Sequence, residues 1–85
     1  MTTATPRPAL EKAELLALLN WELAAYNECD GCHFTSIRTL HKPDESGCNW
    51  ADARVEADHW LPVDEQLILR RVVDETRREF DLRPH

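Results

Sequence analysis

Leu15, Leu16, Leu19, Leu23 and Tyr26 recur at the spacing of one helix face. The stretch from about Pro8 to Asn27 therefore predicts an amphipathic helix with that stripe against a core. Thr5 and Pro6, with Pro8 close behind, are helix-start chemistry, and residues 1–7 read as a disordered lead. Leu10, Ala17, Leu18, Trp21 and Ala25 gather on a second side of the same helix. A helix apolar on two sides either meets a partner or lays a residue such as Trp21 across a neighbouring loop.

The pattern changes after residue 28. Phe34 to Leu40 is short and rich in β-branched and aromatic types, which suits a strand. His41 to Gly47 is a turn, with Pro43, Asp44 and Gly47 supplying the bends. Asn49 to Glu56 alternates, with Trp50, Asp52, Arg54 and Glu56 on one side and Ala51, Ala53 and Val55 on the other. A hairpin over about 33–57 follows, and it must pack on helices because an isolated hairpin is marginal in water. From about Pro62 to Leu82, Ile68, Leu69, Val72, Val73, Thr76 and Phe80 form one apolar stripe opposite Arg70, Arg71, Asp74, Arg77 and Arg78. Pro62, Asp64 and Glu65 favour a helix start there. The expected architecture is an α+β domain over residues 8–85, αββα, with two helices packed on a β-hairpin.

A chain of 85 residues makes one domain with a thin margin of stability, which a metal, disulfide or partner would widen. The net charge of -6 disfavours a broad grip on phosphate backbones or anionic lipid. The acidic excess is spread, at net -2, -3 and -1 over residues 1–28, 29–61 and 62–85, which argues mildly against an acidic mimic of nucleic acid. No signal-peptide pattern opens the sequence, and no apolar run spans a bilayer. An odd number of cysteines, 3, suits a secreted disulfide framework poorly, so the expectation is cytoplasmic.

Those cysteines carry the candidate chemistry. Cys29 and Cys32 form a C-x2-C pair, Cys48 follows, and His33, His41 and His59 lie in the same central third. Zinc takes four tetrahedral ligands, commonly thiolates and imidazoles. A hairpin that returns Cys48 toward Cys29 and Cys32 makes a structural site with His59, or His41, as fourth ligand. His33 adjoins Cys32 too closely to share the ion. The alternative is that the thiols are small apolar packing residues. A redox pair fits less well, because Glu28 and Asp30 disfavour the thiolate and no helix starts at the pair.

Cys29-x2-Cys32 followed by Asp58-His59-Trp60-Leu61-Pro62 resembles the first part of an HNH-type nuclease. That resemblance implies Asp58 as a metal-binding carboxylate and His59 as general base. A second cysteine pair and the later Asn and His of the family are missing; the only histidine beyond Pro62 is His85. The sequence thus reads first as a non-enzymatic interaction or regulatory module, clasped by zinc. Its partner is a protein or a second copy, met through Trp21, Leu18 and Leu10.

Overall fold

The computed structural model describes residues 8–45 and 47–83. The expected N-terminal lead and His85 lie outside them. In chain order the elements are β1 (Ala9–Leu10), α1 (Lys12–Leu23), a 3-10 turn (Asn27–Cys29), β2 (Cys32–Thr39), β3 (Trp50–Ala57), α2 (Val63–Glu79) and β4 (Asp81–Leu82). The two helices and the antiparallel β2–β3 hairpin are the expected α+β arrangement, with a short parallel β1–β4 pair added.

That pair explains why α1 starts later than the apolar pattern predicts. The carbonyls of Pro8 and Leu10 accept from the N–H groups of Asp81 (3.0 Å) and Arg83 (2.8 Å), so residues 8–10 are extended and bonded to the C-terminus. The helix begins where Glu14 turns back to accept from the Glu11 N–H at 3.2 Å. Leu10 consequently sits in a strand, packed on the core, and is not part of a helix surface. At its other end α2 stops at Glu79, short of Leu82, because Phe80 turns extended to enter β4.

Leu15, Leu19 and Leu23 of α1 are buried, and they meet Leu69, Val72 and Val73 of α2 with Phe34, Ile37 and Trp50 of the hairpin. The helices are cross-tied by Thr76, fully buried, whose hydroxyl donates to the Glu22 carboxylate at 2.7 Å. Two irregularities in the hairpin decide what faces the core. The register steps past Thr35 in β2, so Phe34 and Ile37 both point inward although three apart. It also steps past Ala51 in β3, which puts Trp50 on the core side with Ala53 and Val55, apart from Asp52, Arg54 and Glu56. Strict alternation groups Trp50 with the charges, and the step at Ala51 overrides it.

Two asparagines finish the packing. Asn20 of α1 grips the outer edge of β2: its Nδ2 donates to Phe34 O (3.0 Å) and its Oδ1 accepts from Phe34 N (2.7 Å). Asn49 does the same to β4, with Nδ2 to Leu82 O at 2.6 Å and Leu82 N to Oδ1 at 2.8 Å. Each amide stands where a neighbouring strand would be.

Candidate metal centre

The open end of the hairpin is built around Gly31. Its φ of +87° is open to glycine and strained for other residues, and a Cβ there would collide with the Asp58 carboxylate. This close approach lets Asp58 N donate to Gly31 O at 3.2 Å, joining the C-x2-C turn to the β3–α2 loop. Pro62 then starts α2 and brings Glu65 into its first turn.

Three side chains converge there from separate segments. One ligand atom each of Cys32, His59 and Glu65 lies within 4.8 Å of the other two, so together they can hold a metal ion. His59 is held between two carboxylates, with Nδ1 2.7 Å from Asp58 Oδ1 and Nε2 2.7 Å from Glu65 Oε2. The hydrogen bond to Asp58, then that to Glu65, pushes the His59 pKa above its ordinary value. Asp58 is pulled down, chiefly by its hydrogen bond to His59.

The thiols sit in the same field. Burial raises the Cys32 pKa, and the charges of Glu65, Asp58 and Asp30 raise it further. Cys29, nearly fully buried, is raised by burial and then by Cys32, Glu65 and Glu28. Thiols pushed upward are poor nucleophiles, which argues against a redox pair. A cation placed among them reverses the effect, since it stabilises thiolate and carboxylates together.

Of the residues singled out by spacing, the structure brings Cys32 and His59 together, with Cys29 beside them but outside the cluster. Cys48 and His41 are not there. The pairing of Cys32 with Ala57 and of Thr39 with Trp50 puts both at the opposite end of the hairpin, roughly 25 Å of strand away. Cys48 is fully buried, and its thiol donates to Trp50 O at 3.3 Å while its N–H donates to Asp44 Oδ1 at 3.1 Å. It is a packing residue of the far turn. The member of the cluster that spacing missed is Glu65, which reads in the sequence only as a helix-start carboxylate.

Compared with known proteins, the chain matches no protein-family model, no curated protein and no solved structure. Among the described residues, no helix is long and apolar enough to cross a membrane.

Proposed function

We propose that this chain is a cytoplasmic, non-enzymatic interaction module whose hairpin is clasped to α2 by a zinc ion held by Cys32, His59 and Glu65. The convergence of those three groups carries the reading. Thiolate, imidazole and carboxylate are all zinc donors. Asp58 on the other ring nitrogen is the outer carboxylate that orients a ligating histidine. Cys29, one turn away, supplies a nearby thiol to complete a closed, structural shell.

The nuclease alternative is the weaker reading, because the second cysteine pair and the later Asn and His of that family are missing and His85 is the only histidine beyond Pro62. The interaction half of the reading rests on exposed apolar side chains beside the clasp. Trp60, Val63 and Leu67 are 83%, 66% and 63% exposed, and they flank His59 and Glu65 along the chain. Fixing the clasp fixes the surface they form, to which a protein partner docks. Trp21, 75% exposed on α1, is a second such residue.

Native mass spectrometry before and after chelation tests the clasp. The expected result is one zinc per chain, removed by chelator and absent from Cys32→Ser and His59→Ala. A metal-free mass after zinc loading, with unchanged unfolding on chelation, rules it out.

A further inference from the structure

The two outer edges of the hairpin are treated differently. That of β2 is occupied at Phe34 by the Asn20 amide, whereas β3 pairs only with β2 among the described residues. The Asn20 contacts also fix which way the edge groups of β3 point. Both backbone polar groups of Phe34 face away from β3, so Phe34 and the opposing Val55 form a non-hydrogen-bonded pair. The N–H and C=O of Val55 therefore face outward, and alternation gives Ala53 and Ala57 the same direction. Thr35 Oγ1, donating to Arg54 O at 3.4 Å, agrees: the intervening residue points inward to β2.

Over residues 53–57 the charges on this edge are one Arg and one Glu, Arg54 and Glu56. It contains no lysine and no proline, and its outward residues are Ala, Val and Ala. Beside it runs a groove of about 390 Å³ between β3 and α2, lined in equal number by apolar residues, among them Phe34, Val55 and Leu69, and by polar ones, among them Asp52, Arg70 and Asp74. An added strand would lay its own core-side residues against the apolar part of that lining.

We propose that the occupant is β3 of a second copy, antiparallel about a two-fold axis, giving a four-stranded sheet β2–β3–β3–β2. The charges on the solvent face select the partner and the register. Asp52, Arg54 and Glu56 alternate in sign, and Arg54 makes no ion pair among the described residues. Placing Val55 opposite Val55 of the second copy sets Arg54 opposite Glu56 of the second copy, twice by symmetry. Ala53 then meets Ala57 of the second copy, and the outward groups make about six backbone hydrogen bonds. The neighbouring register, Ala53 opposite Val55, sets Arg54 against itself, which costs stability. The same register sets Asp52 opposite Asp58 of the second copy at the two ends of the pairing, where each carboxylate is already bound, to Arg38 at 3.0 Å and to His59 at 2.7 Å.

This rests on the interaction-module reading and names its partner, but not on the metal. The test is the solution mass of the full chain by sedimentation equilibrium over a concentration series, with and without zinc. Wild type is expected at twice the chain mass of 9.9 kDa. Val55→Pro removes an outward N–H that the monomer does not use, so it should return a folded species of single-chain mass with unchanged far-ultraviolet circular dichroism. Arg54→Glu and Glu56→Arg each oppose like charges and should dissociate the dimer, while the double exchange R54E/E56R restores it. A wild-type monomer throughout overturns the proposal, as does a dimer that survives all three single substitutions. A dimer formed equally in chelator upholds it even where the clasp fails, and zinc bound by a persistent monomer defeats it alone.

Discussion

His59 is the residue on which the open end of the hairpin turns, and its two carboxylate partners give the metal-free protein a defined pH dependence. Its pKa is raised above an ordinary value near 6.5, so its contribution is full below that pH and is lost as pH rises through the raised value. Asp58 is lowered from a value near 3.8, so its contribution is present above that pH and is lost as pH falls through the lowered value. The stabilising window therefore runs between the two. In chelator, the difference in thermal stability between wild type and His59→Gln should be greatest inside the window and shrink on both sides. A difference that grows as pH rises above the window contradicts the ion-pair assignment. At this scale the sequence was half readable. C-x2-C and the later histidine mark Cys32 and His59, because ligand types stand out in composition. Glu65 does not stand out, because a carboxylate in the first turn of a helix already has an explanation in the helix dipole. Cys48 misleads for a topological reason: nearness to Cys32 in sequence says nothing of which end of a hairpin a residue occupies.

At the scale of elements, Asn20 links a helix to a strand edge, and its removal tests how much that link supports. Phe34 is 2% exposed, so Asn20→Ala leaves its N–H and C=O short of partners, at a cost of ~1–3 kcal/mol. In a domain this small that lowers the melting temperature by ~4–24 °C. Asn20→Asp keeps the acceptor for Phe34 N–H and loses the donor to Phe34 O, so it should fall between wild type and Asn20→Ala. Equal stability of all three by calorimetry would mean that water replaces the amide at no cost. The elements themselves were legible from periodicity, since Leu15, Leu19 and Leu23 mark α1 and Leu69, Val72, Val73 and Thr76 mark α2. Their limits were not. The N-terminal residues can continue a helix or pair with Asp81–Leu82, and only the fold decides between these. The register steps at Thr35 and Ala51 are equally silent in sequence, yet they carry Ile37 and Trp50 into the core.

Across the whole molecule, the hairpin is tied to α2 at both ends by different chemistry. At the far turn, Arg77 Nε donates to Trp50 O at 2.8 Å and Trp50 Nε1 donates to Phe80 O at 3.1 Å, and Arg77 also pairs with Asp44. Direct hydrogen bonds around a fully buried tryptophan suffice there. At the open end the side-chain tie to the start of α2 is His59 to Glu65, with His59 side chain 37% exposed, and such exposed pairs are worth little. The end that lacks intrinsic strength is thus the end with metal-ligand chemistry, and the two cysteine classes separate on that basis. Free zinc at a hundredfold over its dissociation constant stabilises a folded site by about 2.7 kcal/mol. That is on the order of 10–20 °C in melting temperature for a chain of this size. Cys32→Ser should abolish the zinc-dependent rise while leaving the chelated protein near wild type. Cys48→Ala should lower both curves together by ~1 kcal/mol, through the lost thiol and its small cavity, and keep the full zinc response. Differential scanning calorimetry of the two variants, each with zinc and with chelator, reads all four quantities. If Cys48→Ala loses the zinc response and Cys32→Ser keeps it, the metal belongs to the far turn and the clasp at the open end is wrong.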